Sequence, residues 1–370
     1  MTAATAATAA TAVSAVELSL PCTEDDRPLV VAHRGASGYR PEHTLAAYAL
    51  AIEMGADFVE PDLVMTSDGV PVARHENELG STTDVAEKPE FARRRTTKTI
   101  DGRSVDGWFS EDFTFAELRT LRARERIPQL RPDNRRFDGL FPVPSFAEIL
   151  ALVDGANVRF QLAAEAAGAT ARRCIGVYPE TKHPSYFRRI GLAMELPLLQ
   201  LLNRDTATGA NRRVFIQSFE VGNLKLLRGW TTLPLVQLLA GDEAPWDRVA
   251  AGDMRTGSDL ATPQGLAAIA GYADAIGVDK AMLIPRRGAG GMLGPPSPLI
   301  ADAHAAGLRV HGWTFRAENA FLPPEFRRRG GEAACGDLDG EITAFLAQGM
   351  DGFFTDQPDI GARVRDAFSR

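Results

Sequence analysis

Short runs of apolar and β-branched residues recur along the chain, and stretches with the helical spacing of apolar positions separate them. This alternation predicts βα units whose strands lie parallel in one sheet. Eight strands are predicted, at residues 29–32, 58–63, 174–179, 214–218, 233–238, 275–278, 308–314 and 352–355. The helical segments between them include residues 44–54, 145–153, 186–202, 298–306 and 341–348.

Two stretches depart from this rhythm. Residues 76–141 are rich in charge, proline and arginine and predict an insertion after the second strand. Their arginines are mixed with acidic residues, which favours a solvated surface over an anion-binding patch. Residues 1–27 begin with an Ala/Thr repeat and predict a largely disordered leader.

Polar side chains suited to chemistry stand at the ends of the first two predicted strands. His33 and Arg34 follow the first apolar run, and Glu60 and Asp62 lie two residues apart at the end of the second. Residues two apart on an extended segment point to the same side. Two converging carboxylates suit a hard cation such as Mg²⁺ or Ca²⁺, although an isolated pair is more often a strand-end salt bridge.

A second histidine is predicted to return to the same place. Asp68 and Gly69 form a turn signal between two short apolar runs, which predicts a hairpin that brings His75 back towards the carboxylates. Two histidines beside a cation are suited to act as general acid and general base near neutral pH.

Composition narrows the class of protein. The chain has 370 residues, 45% hydrophobic and 24% charged, enough for one large barrel with insertions. A formal charge of −7 argues against a nucleic-acid partner, because binding a polyanion needs clustered positive charge. No stretch approaches the length of a transmembrane helix. The widely spaced Cys22, Cys174 and Cys335 define neither a zinc site nor an obvious disulfide framework.

The order of these motifs resembles the glycerophosphodiester phosphodiesterase family. The resemblance rests on motifs that together cover nearly the whole chain from Leu29, and the long spacer after His75 is most similar to the bacterial periplasmic branch. The motifs are His33-Arg34-Gly35, Pro41-Glu42-His43-Thr44, Gly55-Ala56-Asp57, Glu60-x-Asp62, Asp68-Gly69, His75, Gly176 to Lys182, Ile216 to Phe219, Trp313-Thr314 and Asp351 to Asp356.

The resemblance implies a TIM (β/α)8 barrel and a set of site residues. It assigns Glu60, Asp62 and Glu180 to one divalent cation, Ca²⁺ or Mg²⁺, and His33 and His75 to acid and base catalysis. Arg34 and Lys182 would face the phosphate. Further substrate contacts are predicted for Glu42, Gln217, Phe219 and Trp313, although core packing is an alternative for the aromatic residues. Glu76, where many members have Asp, would orient His75.

The implied reaction is metal-dependent hydrolysis of a small glycerophosphodiester to glycerol 3-phosphate and an alcohol. Two alternatives stay open: a phosphodiesterase on the same barrel that acts on intact lipids, and a non-catalytic barrel that binds a phosphorylated ligand. A homodimer is also left open. The leader lacks a positive segment and an apolar core, which indicates the cytoplasm. The periplasmic branch implies a periplasmic or secreted protein instead.

Overall fold

The structure is a computed structural model that describes residues 18–23, 27–203, 213–288 and 291–368. Its strands are short, and those of the central sheet are almost entirely buried, as expected for parallel strands covered on both faces. In chain order the strands are β1 Leu29–His33, β2 Phe58–Glu60, β3 Asp62–Met65, β4 Pro71–Ala73, β5 Thr96–Ile100, β6 Arg103–Gly107, β7 Gly176–Val177, β8 Glu180–Thr181, β9 Ile216–Ser218, β10 Leu235–Leu239, β11 Ala275–Asp279, β12 Arg286–Arg287, β13 Met292–Leu293, β14 Arg309–Phe315 and β15 Gly352–Thr355.

Eight parallel strand positions close into a barrel. The second position is split into β2 and β3 at Pro61, and the third into β7 and β8 near Pro179. Proline has no N–H to give to a strand ladder, which explains both interruptions. The last strand, β15, pairs in parallel with β1 and so closes the sheet. The predicted TIM barrel is confirmed, and all eight predicted strands are present.

Helices cover the outside of the barrel. They are α1 Leu45–Glu53, α2 Phe115–Leu118, α3 Phe146–Ala166, α4 Pro184–Arg189, α5 Glu195–Leu202, α6 Val221–Arg228, α7 Trp246–Ala250, α8 Gly257–Leu260, α9 Pro263–Ala270, α10 Lys280–Leu283, α11 Leu299–Ala305, α12 Leu338–Leu346 and α13 Pro358–Ala367. None of the helices in the described ranges has both the length and the apolar character needed to cross a bilayer.

Two helix predictions need correction. The segment 186–202 is two helices, α4 and α5, because Gly191 at φ 82° ends the first one in a left-handed turn. Helix α3 runs to Ala166, well beyond the predicted end at residue 153, since the strong helix formers after Gly155 outweigh that glycine.

The segment between β4 and α3 carries the antiparallel hairpin of β5 and β6, helix α2 and several 3₁₀ turns. It has its own small apolar core, in which Phe91, Phe109 and Phe113 are buried together with Phe187 of α4. This core fixes the hairpin over the carboxyl ends of the early strands. We call residues 96–107 the insertion hairpin.

Part of the predicted leader is attached to the barrel. Leu18 is buried, and Cys22 forms a disulfide with Cys174, which lies just before β7. The backbone N–H of Thr23 also donates to the carbonyl of Arg172. The structure therefore corrects the expectation of disorder for residues 18–23 and reveals a disulfide that the cysteine spacing did not indicate. Residues 1–17 and 24–26 lie outside the described residues.

Candidate active site

A cavity of 1070 Å³ opens at the carboxyl ends of the barrel strands. All but one of the predicted site residues line it, and Glu42 is the exception. Those that line it are His33, Arg34, Glu60, Asp62, His75, Glu180, Lys182, Gln217, Phe219 and Trp313. Strands that lie far apart in the sequence therefore bring the predicted chemistry to one place.

The turn after β1 is built for close packing. Arg34 and Gly35 both have left-handed backbone, at φ 60° and φ 87°. A Cβ atom on Gly35 would lie 2.7 Å from the carbonyl carbon of Ala47 in α1, so only glycine fits. The turn directs the backbone N–H of Arg34 to Oε2 of Glu60 at 2.8 Å, which joins β1 to the carboxylate cluster.

Three carboxylates converge in the cavity from adjacent strand positions. Strand register places His33 beside Glu60, Asp62 beside Glu180, and Glu180 beside Gln217. Oxygen atoms of Glu60, Asp62 and Glu180 lie within 4.8 Å of one another, and all three residues are buried. We call these three residues the carboxylate cluster. Its oxygen donors and spacing fit a hard divalent cation.

The electrostatics of the cluster are those of crowded like charges. Burial and the neighbouring carboxylates Asp62 and Glu180 raise the pKa of Glu60 well above its usual range. Burial also raises the pKa of Glu180 to about 8, partly offset by Lys182. The pKa of Asp62 is well below its usual range because Lys182, His43 and Arg34 outweigh its burial. A bound cation would relieve this repulsion.

Gln217 provides an independent test of the fit. Its Nε2 donates to Oε1 of Glu60 at 3.0 Å, while its buried Oε1 has no hydrogen-bond partner among the described residues. An unsatisfied buried acceptor is costly unless a cation or a water molecule fills the space beside it. The donor set around the cluster therefore agrees with a metal site.

His33 is held by an aspartate from the last strand. Its Nδ1 lies 2.6 Å from Oδ1 of Asp356, just after β15. Burial, with a contribution from Arg34, lowers the pKa of His33 to about 4, so the ring is neutral at pH 7. A carboxylate only accepts hydrogen bonds, so Nδ1 must carry the proton and Nε2 keeps its lone pair.

His75 is arranged in the same way. Its Nδ1 lies 2.9 Å from Oε1 of Glu76, which places that carboxylate where the sequence predicts an orienting group. Its Nε2 lies 3.4 Å from Nζ of Lys182, which in turn lies 3.0 Å from Oε1 of Glu180. Burial, Arg34 and Lys182 lower the pKa of His75. Both histidines are therefore neutral at pH 7 and carry a lone pair on Nε2.

Glu42 occupies a different place from the one predicted. It is buried behind Arg34, whose Nη1 donates to both of its carboxylate oxygens at 3.0 Å, and Nε of Arg126 also donates to it at 2.8 Å. Glu42 does not line the cavity, and both of its carboxylate oxygens accept hydrogen bonds from these guanidinium groups. It orients Arg34, whose Nε lies 3.3 Å from Asp62, towards the cluster.

Sequence reasoning missed the network behind His33. Arg131, from the segment expected to be a solvated surface, is buried and donates to Oδ2 of Asp356 and to Glu318. Arg316 lines the cavity and also donates to Asp356, at 2.8 Å. The motif that ends in Asp356 was the available signal. The arginines carried none, since their partners lie far away in the sequence.

The two predicted aromatic residues lie together on the wall of the cavity. The rings of Phe219 and Trp313 meet edge to face with their centroids 6.0 Å apart. The ammonium of Lys182 lies 5.9 Å from the centroid of Phe219. The Phe219 ring thus contacts the cationic side of the site.

Comparisons with known proteins agree with this site. The profile of the glycerophosphoryl diester phosphodiesterase family matches residues 33–360. A glycerophosphodiester phosphodiesterase of Arabidopsis thaliana is 32% identical over 346 residues, which cover 90% of this chain and 84% of the relative. A glycerophosphodiester phosphodiesterase of Haemophilus influenzae is 28% identical over 354 residues, with 90% and 88% covered.

Solved structures share the fold. A glycerophosphoryl diester phosphodiesterase structure from Silicibacter pomeroyi superimposes with a TM-score of 0.60 at 22% identity and covers 94% of this chain and 95% of its own. A phosphodiesterase of Oleispira antarctica, solved with the product sn-glycerol-3-phosphate, gives 0.56 at 17% identity and covers 92% and 97%. The chain belongs to the glycerophosphoryl diester phosphodiesterase family and is an enzyme of that class, as the sequence predicts.

Proposed function

We propose that this enzyme hydrolyses small glycerophosphodiesters to glycerol 3-phosphate and an alcohol, with one divalent cation, Ca²⁺ or Mg²⁺, and two histidines. The observation that carries the proposal is the position of the carboxylate cluster in one cavity with His33 and His75. A cation alone or a histidine pair alone has many uses. Their combination beside Arg34 and Lys182 suits the transfer of a phosphoryl group.

Each side chain has a role that follows from its contacts. Glu60, Asp62 and Glu180 would hold the cation, which when bound neutralises charge on the phosphodiester. The positively charged side chains of Arg34 and Lys182 lie next to the cluster and would bind phosphate oxygens. Arg34 would do so as a planar fork and Lys182 as a point charge. Both are already oriented by Glu42 and Glu180, so little reordering is needed when substrate binds.

The histidines would move the protons. Nε2 of one histidine takes the proton of the attacking hydroxyl, from water or from the substrate's own glycerol. A new P–O bond then forms, and the bond to the departing alcohol breaks. The other histidine, protonated in the substrate complex where the phosphodiester adds negative charge, gives its proton to the departing oxygen. If the glycerol hydroxyl attacks first, water opens the resulting cyclic phosphate in a second step.

The test is release of glycerol 3-phosphate from glycerophosphocholine by metal-stripped enzyme, with Ca²⁺ or Mg²⁺ added back in turn. We expect activity to return with at least one of them, and Glu60→Gln to abolish that return. Glu243→Gln is the matched control, since it removes an exposed carboxylate at the same cavity. No activity with either cation on several head groups, together with hydrolysis of phospholipid vesicles, would refute the proposal in favour of lipid substrates.

We also infer an oxidising compartment, periplasmic or secreted, for the folded protein. The disulfide between Cys22 and Cys174 supports it, because structural disulfides are rare in reducing compartments. Cells lysed directly into denaturant with a thiol-alkylating reagent and no reductant should yield protein with one reactive cysteine, Cys335. Three reactive cysteines would contradict the inference.

A further inference from the structure

A chain of side chains runs from the tip of the insertion hairpin to His75. Oδ2 of Asp101, in the hairpin turn, lies 2.6 Å from Nδ1 of His183. Nε2 of His183 lies 3.0 Å from Oε2 of Glu76, and Oε1 of Glu76 lies 2.9 Å from Nδ1 of His75. His183 therefore joins two carboxylates, and one of them holds the candidate catalytic ring.

Both ring nitrogens of His183 face carboxylate oxygens, which only accept hydrogen bonds. A neutral imidazole has one N–H and can satisfy only one of them, whereas the imidazolium donates to both. The hydrogen bonds with Asp101 and Glu76 outweigh burial and raise the pKa of His183 to about 9. His183 is thus a charged link between the hairpin tip and Glu76 at neutral pH.

The carboxylate of Glu76 needs such a link. The Glu76 side chain is 46% exposed, and a half-exposed glutamate has several rotamers available. One more methylene than aspartate adds to that freedom. The hydrogen bond from His183 fixes Oε2, so Oε1 stays in place to accept the proton of Nδ1 in His75.

The backbone of His183 shows that its position is held by these contacts. Its φ of 48° and ψ of 44° lie in the left-handed region, and the next residue is Pro184, the first residue of α4. This conformation is unfavourable for a non-glycine residue that precedes proline, and it persists only where the surrounding structure imposes it. The two carboxylates supply that constraint.

The hairpin tip is itself anchored on the opposite side. A Cβ atom added to Gly102 would lie 2.7 Å from the ring of Trp246 in α7, so the turn packs directly against that ring. Asp101 therefore has a fixed position between α7 and His183. The insertion hairpin lines the cavity, and its tip contacts both Trp246 and His183.

We propose that His183 is a positioning residue for His75, acting through Glu76 and held by Asp101 of the insertion hairpin. This inference rests on the proposed acid or base role of His75. It assigns to the insertion a part in catalysis: the segment supplies the anchor that orients one of the two proton-transfer groups.

The test is a double-mutant cycle between His183 and His75. Asn tolerates left-handed backbone but is too short to bridge both carboxylates, so His183→Asn should keep the fold. We expect it to lower kcat roughly tenfold with little change in KM, which is typical of residues that orient catalytic ligands. In a His75→Ala background the same substitution should have no further effect. Asp101→Asn should show the same dependence on His75 with a smaller loss.

His304→Gln is the control, since it removes an exposed histidine that pairs with Asp351 away from the cavity. It should leave kcat unchanged. Normal kcat in His183→Asn would overturn the proposal. An equal proportional loss of kcat in the wild-type and His75→Ala backgrounds would also overturn it, because it would show that His183 has only a structural role. Near-normal kcat in His75→Ala would refute the proposed role of His75 itself, a separate failure visible in the single variant.

Discussion

At the scale of single residues, the contact between His33 and Asp356 decides which ring nitrogen is available. We expect Asp356→Asn to lower kcat by about two to four orders of magnitude, because an amide can donate to Nδ1 and so favour the wrong tautomer. Asn has nearly the same shape as Asp, so the substitution keeps the size of the side chain in the 2.6 Å contact but replaces an acceptor with a group that can donate. Steady-state kinetics on glycerophosphocholine would measure the effect.

Asp351→Asn is the matched control for that prediction. Asp351 precedes β15 as Asp356 follows it, and it pairs with His304 at 2.7 Å. A similar loss of kcat in both variants would show that the effect is general destabilisation of β15, and not a tautomer effect on His33.

The residues that the sequence predicts best are those whose signal is local. Glu60 and Asp62 share one side of one strand position, and His33 ends an apolar run, so periodicity alone points to them. The partner Asp356 is 323 residues from His33, and only closure of the barrel by β15 and β1 brings the two together. Glu42 shows the opposite problem, because its motif is easy to recognise but does not reveal its position. The sequence predicts a substrate contact, whereas Glu42 lies behind the cavity wall and orients Arg34.

At the scale of elements, the disulfide ties residues 18–23 to the amino-terminal end of β7, the face of the barrel opposite the cavity. Its ends are 152 residues apart in the sequence, so in the chain-entropy account it stabilises the fold by up to about 5 kcal/mol. We expect reduction to lower the free energy of unfolding by up to that amount and to leave kcat unchanged at 25 °C. Denaturant titration with and without a reductant would measure it.

Cys335→Ser controls for effects of the reductant on the free cysteine. Equal unfolding midpoints for the oxidised and reduced protein would contradict the prediction. The pairing itself could not be read from the sequence, because a cysteine in a low-complexity leader gives no sign that residues 18–23 pack against the barrel.

The link between the insertion hairpin and α4 should make stability depend on pH. Contacts with Asp101 and Glu76 raise the pKa of His183 to about 9, above its unfolded value near 6.5. Its contribution is therefore complete below pH 6.5 and is lost as the pH rises through about 9. We expect His183→Asn to cost up to about 3 kcal/mol at pH 6 and far less at pH 9.5.

Chemical denaturation of both proteins at the two pH values would check this sign. A difference that grows towards alkaline pH would mean that His183 is neutral in the folded protein.

The strand breaks show another limit of prediction from the sequence. The sequence predicts one continuous strand at each of the second and third barrel positions, but Pro61 and Pro179 cannot donate to a strand ladder and interrupt both. Glu60, Asp62 and Glu180 lie beside these breaks.

At the scale of the whole molecule, the barrel gathers like charge at one point of a chain that is already acidic. The carboxylate cluster joins the second strand position to the third, so a ligand that binds all three side chains binds only the folded barrel. Mass action then couples binding to folding, by about 2.7 kcal/mol at a hundredfold excess over the dissociation constant.

This coupling predicts how thermal stability responds to removal of the cation and to removal of one carboxylate. Chelation should lower the Tm of the wild-type protein, because the crowded carboxylates lose their counterion. Glu180→Gln should abolish the rise in Tm with Ca²⁺ or Mg²⁺, because it removes one of the three carboxylates that would hold the cation. Calorimetry of both proteins, with Glu243→Gln behaving as wild type, would measure both effects. The prediction fails if neither cation changes the Tm of the wild-type protein, or if Glu180→Gln keeps the full rise in Tm. Either result would show that the carboxylate cluster does not bind these cations and that protonation relieves its charge repulsion.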